Sequence, residues 1–233
     1  MNRFQLPLAL KPPRRPSFDN FIAGSNRAVV GTLRDGLESA GWYFLRGPAG
    51  SGRSHLVASA FAERCRRGES ARFIALSQPD QVELLAHTCG DWIMIDDVDV
   101  VAGVGEAEHS LFSALNRWRD ERCGLIMSGR GRDRFELPDL RSRLDQAVRL
   151  ALTPLDEAGL AQLIRQLAEE HEVPLGRGVI DYLLSRAPRN AARLSELIER
   201  CSRRAGPTAR RVRSPGARTD CRLLIAPARP SGQ

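Results

Sequence analysis

The chain has 233 residues, 42% of them hydrophobic, and a formal net charge of +7. That is room for one α/β domain and a smaller one, and no apolar run approaches the roughly 20 residues that span a bilayer, so no membrane partner is expected. The basicity is uneven: residues 200–233 carry nine arginines against one acid, Asp220, which leaves residues 1–199 close to neutral. In chain order, residues 1–17 form a proline-interrupted lead that reads as a flexible N-terminal segment. Residues 18–152 alternate apolar strands with helices. The predicted strands are 42–45, 72–76, 92–95, 125–128 and 147–152; the predicted helices are 54–66, 81–86 and 107–119. Such alternation implies a parallel sheet covered on both faces.

After Thr153-Pro154 the pattern turns wholly helical. Asp156 is placed to cap a helix striped by Leu160, Leu163, Ile164 and Leu167. A second stripe holds Val179, Ile180, Leu183, Leu184 and Ala187, and Asn190 is placed to cap a third with Leu194, Leu197, Ile198 and Cys201. Residues 153–205 therefore read as a small helical lid. Residues 206–233 are rich in Arg, Pro, Ala, Gly and Ser without periodicity and are expected to be disordered. A basic tail binds nucleic-acid phosphates nonspecifically or stays solvated. The cysteines at 65, 89, 123, 201 and 221 are odd in number and lack Cys-x-x-Cys spacing, which favours free thiols in a reducing compartment, the cytoplasm.

Gly47-Pro48-Ala49-Gly50-Ser51-Gly52-Arg53-Ser54 lies between a predicted strand and a predicted helix. That is the context of a phosphate loop, whose glycines let backbone N–H groups turn toward a phosphate at a helix N-terminus. Ser54 is placed to reach Mg2+. Arg53 stands where the pattern asks for lysine, in a chain with 34 arginines and one lysine, Lys11. Arginine still neutralises phosphate but with planar geometry, so weak intrinsic hydrolysis is expected. The alternative is a degenerate loop kept as a structural turn. About fifty residues on, the apolar run Trp92–Ile95 ends in Asp96-Asp97. One carboxylate there can hold Mg2+ and its neighbour can polarise water. His55, in the first turn after the loop, reads as an ordinary helix-surface residue.

An α/β nucleotide domain followed by a short helical lid resembles the AAA+ ATPases. Phe18-Asp-Asn-Phe21-Ile-Ala-Gly24-Ser-Asn26 resembles the lead-in of the DnaA initiators, and Asp96-Asp97 matches that family. Leu125-Ile-Met-Ser128 resembles its first sensor strand, with Ser128 in the polar position. Pro138-Asp-Leu-Arg-Ser-Arg143-Leu-Asp resembles its arginine-finger segment, with Arg143 as the finger. After the finger the family often has Asp-Trp-Gly, where this chain has Asp145-Gln146-Ala147. Ala192 stands where the family has its second sensor arginine, flanked by Arg189 and Arg193, and Arg189 is the candidate.

No helix-turn-helix segment follows the lid, and arginine before serine in the loop is common among the Hda-type regulatory inactivators of DnaA. The resemblance therefore points to that branch. Gln5-Leu6-Pro7-Leu8-Ala9-Leu10 resembles its short clamp-binding peptide, with Gln5 at the rim of an apolar pocket filled by Leu6, Leu8 and Leu10. The alternative is a terminal segment that packs on its own domain.

The resemblance implies bound ADP, or ATP, with Mg2+. It implies DnaA and the sliding clamp (the β subunit of DNA polymerase III) as partners, with DNA reached through the clamp. It also allows self-association. The implied function is negative regulation of chromosomal replication initiation, with hydrolysis occurring in DnaA. An autonomous AAA+ ATPase, acting as a helicase loader or transposition helper, is the competing expectation.

Overall fold

The computed structural model describes residues 15–131, 134–176, 178–186 and 190–205. The clamp-like peptide at Gln5, Leu6, Leu8 and Leu10, Arg189 and the basic tail lie outside them.

Five strands form one all-parallel sheet: β1 (Trp42–Arg46), β2 (Ala71–Ala75), β3 (Trp92–Asp96), β4 (Gly124–Gly129) and β5 (Val148–Ala151), in the spatial order β2-β3-β4-β1-β5. Alternating side chains explain why the central strands read as continuous apolar runs. Ile93, Ile95, Leu125, Met127 and Phe44 face one layer, beside Leu111, Leu115 and Trp118. Trp92, Met94, Ile126, Tyr43 and Leu45 face the other, beside Leu56, Val57 and Ala60. The covering helices are α1 (Arg27–Asp35) and α2 (Arg53–Arg66) on the second face, and α3 (Gly105–Asp120) and α4 (Pro138–Leu144) on the first.

Neither α1 nor α4 is evident from sequence periodicity. In α1 only Leu33 is fully buried, and α4 has seven residues with proline at its first position. The predicted helix over Gln81–Ala86 is replaced by two short 3-10 turns, Pro79–Gln81 and Glu83–Ala86. The bonds there are mostly of the tighter i→i+3 kind, Gln81 N–H to the Gln78 carbonyl at 3.0 Å and Leu85 N–H to the Val82 carbonyl at 3.1 Å, with a single i→i+4 bond from Thr88 N–H to the Leu84 carbonyl at 2.9 Å.

Beyond β5 come α5 (Glu157–Glu170), α6 (Val179–Arg186) and α7 (Ala191–Ala205). They enclose their own core of Leu160, Ile164, Leu183, Leu194 and Ile198. Asp156 caps α5 by accepting from the Gly159 N–H at 2.8 Å. Asn190 caps α7 by accepting from the Arg193 N–H at 3.2 Å.

This three-helix unit is tied to the start of the chain. The buried Asn26 side chain accepts from the Thr153 N–H at 2.8 Å and donates to the Thr153 carbonyl at 2.9 Å. Gln166 on α5 donates to the Asn20 carbonyl at 2.8 Å. No helix among the described residues is long and apolar enough to cross a membrane.

Candidate functional site

The C-terminal ends of β1, β3 and β4 lie together at one edge of the sheet, where open parallel sheets place their ligands. The glycine-rich loop Gly47–Ser54 leaves β1 and opens α2. Gly50 has φ +79° and Gly52 φ +92°, both left-handed. A side chain at either position would also collide: a Cβ at Gly50 would sit 2.2 Å from Asn190 Oδ1, and one at Gly52 would sit 2.5 Å from the Phe21 ring. Glycine is thus required by conformation and by close approach at once. Asn190 completes its contact by donating to the Ala49 carbonyl at 2.9 Å, so the start of α7 rests on the loop.

Asp96 and Asp97 stand at the end of β3, and Ser128 lies beside them on β4. The fully buried Ser128 hydroxyl donates to Asp96 Oδ1 and accepts from the Asp97 N–H at 3.1 Å. It therefore orients the Asp96 carboxylate and holds the Asp97 backbone. Asp97 itself turns into the left-handed region at φ +55°. Arg53, whose side chain is 9% exposed, reaches across from α2 and places Nη2 3.4 Å from Asp97 Oδ1. Burial, and then the Asp96 charge, push the Asp97 carboxyl above its ordinary range; Arg53 opposes them without prevailing.

Two buried polar atoms of the loop have no hydrogen-bond partner, Ser51 Oγ and Arg53 Nη1. Buried donors and acceptors are rarely left unpaired, because each costs about 1–3 kcal/mol. Each of these two atoms is a donor that an acceptor oxygen brought into the loop would satisfy. Ser54 is exposed on the first turn of α2, and with Asp96 it offers the hydroxyl and carboxylate that suit Mg2+. Among the described residues no group of three or more His, Cys, Asp or Glu could hold a metal ion. A magnesium ion at this edge would therefore take most of its ligands from phosphate and water.

The sequence-predicted site residues thus divide. Gly47 to Ser54, Asp96, Asp97 and Ser128 come together. Arg143 stands apart at the end of α4, a helix packed on α3. It donates to Gln146 Oε1 at 3.0 Å, while its Nε is buried with no partner. Burial, and then nearby Arg119, lower its pKa from the ordinary value. His55 differs from the helix-surface expectation: it is half-buried, its ring centroid lies 5.4 Å from that of Phe21, and its Nε2 lies 3.1 Å from the Ser17 carbonyl, where it acts as the donor. Burial lowers its pKa, against the opposing effects of Ser17 and Glu170.

Three contributors were not assigned to the site from sequence. Phe21 and Asn190 pack on the loop from opposite sides of the sequence; the first stood out only within the lead-in segment and the second only as a helix cap. Glu108 is the third. It is 1% exposed on α3, and its carboxylate accepts from the N–H groups of Gly103 at 2.7 Å, Glu136 at 2.9 Å and Leu137 at 2.7 Å. It thereby fixes the residues that lead into α4 and Arg143.

No protein-family model matches the chain. Solved structures do resemble it. Domain III of the Thermotoga maritima replication initiation protein DnaA aligns with a TM-score of 0.73 at 19% identity, over 91% of this chain and 97% of that one. A replication initiator DnaA bound to AMPPCP and single-stranded DNA aligns at 0.64 and 20% identity, over 79% of this chain. This chain spans 63% of that initiator's length. The Thermotoga maritima RuvB Holliday junction branch migration motor aligns at 0.59 and 20% identity, over 82% of this chain and 66% of that one. The chain therefore has the AAA+ fold of the DnaA and RuvB kind.

Proposed function

We propose that this protein is a DnaA-like AAA+ regulator that holds ADP and promotes hydrolysis of ATP carried by a partner DnaA, restraining replication initiation. The observation that carries the reading is the contrast between two arginines. Arg53 is buried in the loop with one nitrogen on Asp97 and another unpartnered. Arg143 lies away from that loop, half-buried on α4.

The backbone of Gly47 to Ser54, with Ser51 and Arg53, holds the diphosphate, and Ser54 and Asp96 are the residues that would bind Mg2+. A bound diphosphate supplies the acceptor oxygens that the loop lacks. The Arg53 contact engages Asp97, the carboxylate that would otherwise polarise water, so turnover in this chain's own loop is slow. Asn190 rests on Ala49 and gives the three-helix unit, acting as a lid, a fixed seat on the loop; Arg189 beside it is the candidate second sensor. Arg143 projects toward ATP held by DnaA, where an added cation at the γ-phosphate accelerates hydrolysis by roughly 10³–10⁵. Gln5, Leu6, Leu8 and Leu10 dock on the sliding clamp and bring the protein to DNA.

The test is hydrolysis by ATP-loaded DnaA with clamp and DNA, with and without this protein. Stimulation is expected from the wild type. It should be lost in Arg143→Ala and in a variant with Gln5 and the three leucines changed to alanine, while both still bind ADP. Undiminished stimulation by Arg143→Ala would remove the finger role. The RuvB likeness favours a second reading, an autonomous motor, and substantial ATP turnover without DnaA would support it instead.

A further inference from the structure

We propose that Arg53 lets the glycine-rich loop hold a nucleoside diphosphate without a divalent cation. The inference rests on the nucleotide reading above and concerns the cation requirement of that same loop.

The electrostatic difficulty of this site is local. Asp96 and Asp97 are adjacent at the end of β3, and any diphosphate in the loop brings further negative charge to their side. Phosphate loops ordinarily relieve that repulsion with a magnesium ion set between phosphate and carboxylate, while the loop lysine neutralises phosphate alone.

Here the geometry differs in one respect. The Arg53 guanidinium already reaches the carboxylate side, with Nη2 3.4 Å from Asp97 Oδ1. Its other terminal nitrogen, Nη1, is buried with no partner, as is Ser51 Oγ two residues earlier. A guanidinium carries one delocalised charge over a rigid planar fork. Its fork can donate to Asp97 from one arm and to a phosphate oxygen from the other. A lysine ammonium is a single centre on a flexible stem. It can approach phosphate or carboxylate, but it cannot present fixed donors to both.

The remaining groups agree with this assignment. One Asp96 oxygen accepts from Ser128, so that carboxylate has a neutral donor holding it in place. Asp97 carries its cation already. The arrangement therefore provides, from the chain itself, the positive bridge that a magnesium ion would otherwise supply.

The experiment is a fluorescence titration of the full chain with mant-ADP, in excess magnesium chloride and in excess EDTA, for the wild type and for Arg53→Lys. Wild-type affinity should change by less than about threefold between the two conditions, and the lysine variant should lose about tenfold or more in EDTA. A thermal melt of each protein checks folding. A wild type that loses about tenfold in EDTA overturns the inference, and that arm decides even if the lysine variant fails to fold. A lysine variant as indifferent to magnesium as the wild type also overturns it. No mant-ADP binding in either condition would defeat the nucleotide reading itself, a result distinct from binding that requires magnesium.

Discussion

Two carboxylates of this fold, Glu108 and Asp97, have opposite surroundings. Glu108 on α3 is closed off from solvent and accepts from three backbone N–H groups. Burial alone would raise its pKa, but those bonds outweigh burial and hold it below the ordinary carboxylate range. Asp97 at the loop rim has one cation at 3.4 Å, a like charge beside it, and a pKa moved upward. The first site is complete within the folded chain. The second becomes complete only with something added. Incomplete polar chemistry at the edge of a well-packed sheet marks a binding site more reliably than a count of charged residues does.

The sharpest way to break the contrast is to damage the complete site. Glu108→Ala takes the shared acceptor away from the N–H groups of Gly103, Glu136 and Leu137. At about 1 kcal/mol or more for each, the loss is about 3 kcal/mol or more. For a chain of this size that lowers the unfolding midpoint by about 10 °C. Calorimetry measures the shift. Glu108→Gln keeps one acceptor oxygen and should recover part of it. A midpoint unchanged in Glu108→Ala would show that water reaches those groups and that the site is not closed.

The strands of the sheet were largely legible in the sequence because both faces of β3 and β4 are apolar, and runs such as Trp92–Ile95 need no partner to be recognised. The glycine-rich loop was legible because its chemistry fixes a spacing. Glu108 was illegible for a physical reason: its partners are backbone N–H groups, which every residue but proline carries and which leave no mark in the sequence. The Arg53–Asp97 contact spans 44 positions; each residue was noted alone, but their meeting depends on strand order, which no local pattern states. The Gln81–Ala86 segment looked helical by composition and folds instead as two 3-10 turns.

Asn190 lies between the two extremes, since it finishes one side of the loop. Its Oδ1 caps α7 and its Nδ2 bonds the Ala49 carbonyl. Asn190→Ala should cost about 1 kcal/mol through the lost cap, lowering the midpoint by about 3 °C. Hydrogen exchange at the first turn of α7 should quicken, as should exchange across Ala49–Gly50. Faster exchange confined to α7 would mean that the contact with the loop contributes nothing and that Asn190 is a helix cap alone.

The smallest expected effect has the opposite sign and is the closest test of the comparison. An acid whose folded pKa lies above its unfolded value destabilises the fold at any pH where it is ionised. That cost is fully present above the raised folded value and disappears as the pH falls through it toward the ordinary value of 3.8. Asp97→Asn resembles the protonated state permanently, so without nucleotide it should raise the midpoint at neutral pH. The gain should shrink on acidification, and by the ordinary value of 3.8 the two proteins should melt alike. Glu108→Gln should behave in reverse: its loss is present above the ordinary value of 4.5 and fades below it, because there the native carboxyl also becomes protonated. If both variants destabilise at neutral pH, the Arg53 contact contributes more to the empty fold than the crowding of Asp96 and Asp97 costs it. The rim would then be a finished ion pair, and its carboxylate would carry no stored demand for a ligand.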